Sequence, residues 1–151
     1  MLFRFMRPVT ETRLRVRYAE TDQMGVVYYA NYIVWMEVGR VELCKACGFN
    51  YRDMELEDGV YLAVAEASCR YRSPARFDDE VIVKTWIEDA NTRIAIFAYE
   101  MRVGGRMLAT GSTRHVYVNR EMQRVRLPEK YHAMFGISGG RRQESEVRSQ
   151  E

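Results

Sequence analysis

The sequence is poor in the side chains on which most metal, redox and proton-transfer sites depend. Its 151 residues include two histidines, His115 and His132, and three cysteines, Cys44, Cys47 and Cys69. An odd cysteine count argues against a disulfide framework and for a reducing compartment. Cys44-Lys45-Ala46-Cys47 has the spacing of a redox or metal motif. A redox pair belongs at a helix N-terminus, where the dipole lowers the thiol pKa, and this pair falls near the end of a predicted helix. Zinc would need two further ligands, and the histidines are distant in sequence and unpaired. Free, partly buried thiols and no metal are the expectation. No apolar run is long enough to span a bilayer, and the arginine-interrupted start, Met-Leu-Phe-Arg-Phe-Met-Arg, is too short for the apolar core of a signal peptide. A cytoplasmic protein is therefore expected. There is no strong charge of one sign either: 23 Lys+Arg against 21 Asp+Glu leave a formal net charge of +2, far from the basic excess of a nucleic-acid binder. Only Lys45, Lys84 and Lys130 are lysine, so the basic groups are mostly arginines, whose forked donors suit phosphate.

What is present is volume for one core. At 151 residues and 47% hydrophobic composition the chain fits one domain. Residues 12–19 alternate arginine with Leu14, Val16 and Tyr18, the period of a strand with one wet face. After a turn around Asp22 to Gly25, a helix is predicted from about Ala30 to Cys47, with Gly48 where a left-handed C-cap belongs. Its first turns, Tyr32 to Met36, are apolar nearly all round, the pattern of a helix buried in a concave sheet. A short helical patch is predicted from Tyr51 to Glu57, ending in Asp58-Gly59. Four extended runs follow, Tyr61 to Tyr71, Glu80 to Glu88, Thr92 to Val103 and Arg106 to Asn119, and Gly104-Gly105 makes the last two a hairpin. Pro128 opens a last short helix through Phe135. Residues 1–137 read as a single domain and 138–151 as a mobile tail with almost nothing to bury. The order of elements implies an α+β fold in which one antiparallel sheet wraps one long central helix.

One run carries chemistry. From Arg17 to Tyr32 a lone carboxylate, Asp22, stands just before the glycine turn and the helix start. An anionic side chain beside the free N–H groups of a helix N-terminus puts a nucleophile or base next to an oxyanion donor, the two parts acyl transfer needs. The plainer reading is that Asp22 N-caps the helix or turn. Glu37 and Arg40, three apart on one helical face, read as an ion pair.

Tyr18-Ala19-Glu20-Thr21-Asp22-Gln23-Met24-Gly25-Val26-Val27-Tyr28-Tyr29-Ala30-Asn31-Tyr32 resembles the hotdog-fold thioesterases of the 4-hydroxybenzoyl-CoA thioesterase group, including the acyl-CoA thioesterases associated with the Tol-Pal system. Weaker support comes from Glu37 with Arg40 and Glu42, from Tyr71 to Asp79, and from Ala109-Thr110-Gly111; the resemblance spans about residues 10–135. It implies hydrolysis of acyl-CoA to free acid and CoA without a cofactor. Asp22 would be the catalytic carboxylate, as nucleophile or as general base on water, and the Tyr29 backbone N–H would polarise the thioester carbonyl. The Tol-Pal branch has histidine where this chain has Tyr29, and the hydroxybenzoyl branch has tyrosine. Some related enzymes draw their carboxylate from the helix, which makes Glu37 a second candidate. Gly25, Val27, Tyr28 and Tyr32 are expected to bind substrate, and Arg72, with Arg76 beside it, and Arg93 to hold CoA phosphates. Tyr28, Tyr29, Tyr32 and Trp35 read equally as an aromatic slot or as core.

The resemblance also implies a homodimer joined edge to edge, assembling to a tetramer. Two other readings stand beside the hydrolase. A non-catalytic module that binds acyl-CoA or acyl-carrier protein would use the same groove, and a dehydratase would need a histidine with an acidic partner.

Overall fold

The computed structural model describes residues 7–138, so the tail expected beyond Ser138 lies outside the described residues. Five strands, β1 (Val9–Arg15), β2 (Tyr61–Tyr71), β3 (Glu80–Ala90), β4 (Ile94–Val103) and β5 (Arg106–Val118), form one antiparallel sheet in the order β1-β3-β4-β5-β2. Helix α1 (Asn31–Ala46) lies along one face. One antiparallel sheet against one long helix is the α+β arrangement that the order of elements implied and the hotdog fold that the resemblance implied.

Alternation builds the interface between helix and sheet. Val81, Val83, Thr85 and Ile87 of β3 and Ala95, Phe97, Tyr99 and Met101 of β4 point inward and are buried, as a period-2 apolar face requires. They meet Tyr32, Trp35, Met36, Leu43 and Cys44 of α1. Two glycines allow the close approach. A Cβ on Gly39 would run into Thr85 Oγ1, and one on Gly111 into Met36 Cε. Gly48 ends α1 at φ +97°, the left-handed position expected of it. A second helix, α2 (Tyr51–Asp53), passes into a π-helical turn, Met54–Asp58, that Gly59 closes at φ +63°.

Several boundaries differ from expectation for local reasons. Strand β1 begins earlier and stops at Arg15, because its partner β3 begins at Glu80 and the two residues pair. Tyr18, expected on the inner face, lies in a 3-10 turn, Tyr18–Glu20, and is 76% exposed. Strand β4 starts at Ile94 because the Asn91 side-chain oxygen accepts the Arg93 and Ile94 N–H groups and holds the turn. The last helix is a 3-10 turn, Glu129–Tyr131, followed by turns that bury Phe135. Helix α1 is covered on its sheet side only: Val34 is 50% exposed and Glu37 faces solvent. The expected Glu37–Arg40 ion pair is absent among the described residues. Arg40 turns into the core and donates to Tyr99 Oη at 3.1 Å.

Strands β1 and β2 are the sheet edges. In β2, residues 64–68 are all exposed.

Candidate active site

Past Arg15 the chain leaves the sheet and makes the loop that carries Asp22. Val16 closes the exit, its N–H donating to the Asp79 carbonyl at 2.9 Å. Glu20 then turns inward until it is 5% exposed. Its carboxylate accepts the Arg17 N–H at 2.8 Å and the Trp35 indole N–H at 2.8 Å, with the Arg17 guanidinium 3.4 Å away. Burial opposes the charge, but the Arg17 N–H, the indole and the guanidinium together hold this carboxyl below its ordinary range. The Glu20 carbonyl accepts the Tyr28 N–H at 2.9 Å and the Asn31 side-chain amide at 2.8 Å. Glu20 thus clasps the loop to the first turns of α1 from both its side chain and its backbone.

Between these ties the loop closes on itself through an antiparallel bridge of Thr21 to Val27. Asp22 N–H donates to Val26 O at 2.9 Å, and Gly25 N–H returns to Asp22 O at 2.9 Å with Gly25 at φ +75°, a conformation suited to glycine. Asp22 is half-buried. Its Oδ1 accepts the Met24 N–H at 2.8 Å, an Asx turn. Among the described residues its Oδ2 accepts no hydrogen bond. Asp22 therefore caps its own turn and not the helix.

The helix start is left open. Its N-cap is Ala30, without a side-chain hydrogen bond. The turn leading into it is tight, with Asn31 N–H donating to Tyr28 O at 2.9 Å and Ile33 N–H to Ala30 O at 3.2 Å. Among the described residues, the Tyr29 and Ala30 N–H groups donate to no acceptor. Uncapped amides at the positive end of a 16-residue helix form a site for developing negative charge.

Aromatic rings surround this turn. Tyr32, 3% exposed, accepts the Ala75 N–H through its hydroxyl at 3.3 Å and packs against Trp35 with centroids 4.8 Å apart. These two are core. Tyr28 and Tyr29 are exposed and their rings meet with centroids 4.7 Å apart, tilted by 53°. Tyr71, at the end of β2, donates its hydroxyl to the Tyr29 carbonyl at 2.9 Å.

The other predicted residues distribute as follows. Val27 is buried, its N–H donating to Ala75 O at 2.8 Å. Arg72, one residue past β2, and Arg76 are exposed at the same end of the sheet as the Asp22 loop. Arg93 lies in the β3–β4 turn at the opposite end, about 30 Å away along an eleven-residue strand. Glu37 borders a shallow groove on the outer face of α1 with Val34, Val38, Val41 and Glu42. His115 is fully buried with Nε2 2.8 Å from Thr113 Oγ1, and His132 Nε2 lies 2.9 Å from Leu127 O, so both imidazoles are engaged elsewhere. The three thiols are free, and burial pushes Cys44 up to about 12, the reverse of a reactive thiolate. Among the described residues no group of three or more acidic, histidine or cysteine side chains is arranged to hold a metal ion, and no helix is long and apolar enough to cross a membrane.

Sequence reasoning overlooked Glu20, Asn31 and Tyr71 as parts of the site. A signal existed for Glu20: a tryptophan on the inner stripe of a helix needs a partner for its indole N–H.

Comparison with known proteins shows what the chain resembles. Residues 16–135 match the model of the thioesterase-like superfamily. The YneP protein of Bacillus subtilis (strain 168) is 42% identical over 114 residues, 75% of this chain and 82% of YneP. Acyl-CoA thioesterase YbgC of Haemophilus influenzae is 26% identical over 81% of this chain and 90% of its own. The crystal structure of the DHNA-CoA thioesterase of Staphylococcus aureus superposes with a TM-score of 0.81 at 28% identity, covering 94% of each chain.

Proposed function

The chain belongs to the thioesterase-like superfamily, and from that premise we propose that its Asp22 loop and the open start of α1 hydrolyse acyl-CoA to free acid and CoA. It is a thioester hydrolase, and acyl-CoA is its substrate class. The observation that carries the assignment of residues is the pairing of a carboxylate with an unengaged oxygen, Asp22 Oδ2, and a helix start whose Tyr29 N–H has no acceptor among the described residues.

A thioester is already activated, so catalysis asks for a positioned nucleophile and a stabilised oxyanion more than for protonation of a poor leaving group. The thioester oxygen docks at the Tyr29 N–H. Asp22 then attacks the carbonyl carbon, releasing CoA thiolate and leaving a mixed anhydride that water cleaves, or it removes a proton from an attacking water. In either role it acts as the carboxylate. Gly25 and Val27 shape the loop beneath the acyl group and the exposed Tyr28 flanks it, whereas Tyr32, expected to bind substrate, is buried and supports the turn from the core. Arg72, exposed at the Asp22 end of the sheet, is the candidate to meet CoA phosphate.

The exposed edge strand β2 supports a homodimer, since an unpaired edge with exposed Val64 invites a second copy. Two-fold antiparallel pairing reverses the partner's direction, so Arg93 of the second copy would come to the Asp22 end of the first. Two such dimers form the proposed tetramer, each chain a single hotdog domain over residues 1–137. Three free thiols support a cytoplasmic location.

The test is CoA release from aromatic, short-chain and long-chain acyl-CoA by the parent chain and by Asp22→Ala. Turnover that disappears in the variant is expected. Undiminished turnover in Asp22→Ala rejects Asp22, and saturable binding without turnover would favour the non-catalytic module.

A further inference from the structure

Resting on that reading, we propose that the oxyanion site has two amides, the N–H of Ala30 beside that of Tyr29, and that Tyr71 is the positioning residue that fixes and strengthens the second. The Tyr29 carbonyl and the Ala30 N–H belong to one planar trans peptide group, so the direction of one sets the direction of the other. Tyr71 donates its hydroxyl to that carbonyl at 2.9 Å, whereas the helical bond from Tyr32 N–H to the same oxygen is long, at 3.4 Å. The hydroxyl is therefore the carbonyl's better partner. It holds the peptide plane with the Ala30 N–H pointing away from Tyr71, toward the open end of the helix.

Asn31 N–H closes a turn onto Tyr28 O across Tyr29 and Ala30, and the helical angles of Ala30, φ −68° and ψ −22°, make it a type I turn in which Tyr29 is helical as well, so the Tyr29 and Ala30 N–H groups lie on the same N-terminal side of the turn. Two donors then converge where one is needed to bind a carbonyl and two to stabilise a tetrahedral oxyanion. A hydrogen bond accepted by an amide carbonyl also polarises the amide and makes its N–H a better donor, the cooperativity of hydrogen-bonded chains. The chain here runs from the Tyr71 hydroxyl through the Tyr29–Ala30 peptide to the thioester oxygen.

Tyr71 is itself held in place. Its ring meets Tyr32 edge-on at 5.1 Å and 87°, and Tyr29 at 6.4 Å and 88°. Burial, with the neighbouring Cys69 thiol, pushes its hydroxyl up to about 12, so it remains a donor throughout the working pH range. On the other side of the turn, the Glu20 carbonyl fixes Tyr28 N–H and the Asn31 side chain. The two amides thus lie between one anchor from the Asp22 loop and one from the edge strand.

Tyr71→Phe removes the hydroxyl and keeps the ring. With benzoyl-CoA and butyryl-CoA as probes, kcat is expected to fall about tenfold, the scale of one weakened oxyanion donor, while KM and the unfolding temperature stay at the parent values. The spectroscopic counterpart uses benzoyl-CoA labelled with 13C at the thioester carbonyl and bound to Asp22→Asn. Its C=O stretch should move to higher frequency when Tyr71→Phe is added. Parent-level kcat in Tyr71→Phe alongside an inactive Asp22→Ala overturns this inference and leaves the hydrolase reading standing. A fall in kcat matched by a lowered unfolding temperature, with no change in the C=O stretch, overturns it as well by reducing Tyr71 to packing. Full activity in Asp22→Ala, or no hydrolysis of any thioester by the parent chain, overturns both.

Discussion

Glu20 does for the site what no residue of the predicted catalytic set does: it ties the Asp22 loop to α1. Replacing it by Gln keeps the shape but presents an amide where Arg17 and Trp35 need acceptors. A loss of about 1–3 kcal/mol in unfolding free energy at neutral pH is expected. The sign of the pH dependence follows from a folded pKa below the ordinary 4.5. The stabilisation is fully present above that ordinary value and is lost as pH falls through the folded one. Chemical denaturation from pH 7 to 3 checks this, because the difference between the parent and Glu20→Gln should shrink across that acid window; a difference independent of pH would contradict it.

His115 works in the opposite sense. Burial first, and the Arg40 charge second, lower it to about 4 from 6.5. Between those values the unfolded chain binds a proton that the folded chain does not, so stability falls as pH drops from 6.5 to 4. The loss is about 3 kcal/mol if the full shift is realised. His115→Gln should flatten the stability curve in that window, and an unchanged slope would assign the acid sensitivity elsewhere.

At the scale of elements, much of the fold was legible. Tyr61–Tyr71 and the Gly104-Gly105 hairpin follow from β-rich runs and turn chemistry, and Gly48 from the left-handed C-cap. The end of β1 was not legible, because the alternation of arginine with Leu14, Val16 and Tyr18 continues past the point where β3 runs out of partners. Nor was the inward turn of Arg40, since helical spacing to Glu37 cannot reveal that Tyr99 offers a hydroxyl from a distant strand. Asp22 stands out as a candidate by its position before a glycine turn, whereas the hydroxyl of Tyr71 reaches Tyr29 across 42 residues of sequence.

Gly39 had no local signal either, because its reason is the closeness of α1 to β3. Gly39→Ala would press a methyl group against Thr85 Oγ1 and Val83. Overpacking of this kind costs about 1–3 kcal/mol. Thr85 Oγ1 is buried without a hydrogen-bond partner among the described residues, so Thr85→Ala should relieve part of the strain. A double-mutant cycle by thermal unfolding checks the coupling: the double variant should be more stable than the two separate effects predict, and strict additivity would show that α1 shifts instead.

At the scale of the whole molecule, the exposed edge strand β2 is where a second copy would pair. Ala65→Asp combined with Ala67→Asp puts like charges where two copies would meet across a two-fold axis. Light scattering on a sizing column should find the parent chain as a dimer or tetramer and the variant as a monomer. Activity should fall with assembly if, as proposed, a second copy brings its Arg93 to the Asp22 end. A parent chain that is monomeric, or a variant that assembles undisturbed, would remove the edge-to-edge dimer.

Hydrolysis here needs a carboxylate and an open helix start acting together on a thioester. Asp22→Asn tests this most directly, because the amide oxygen can still accept the Met24 N–H and preserve the turn while the charge is gone. CoA release under saturating acyl-CoA should drop about 10³-fold with unchanged unfolding temperature, whereas release within about twofold of the parent rate would show that the Asp22 charge is not needed for hydrolysis.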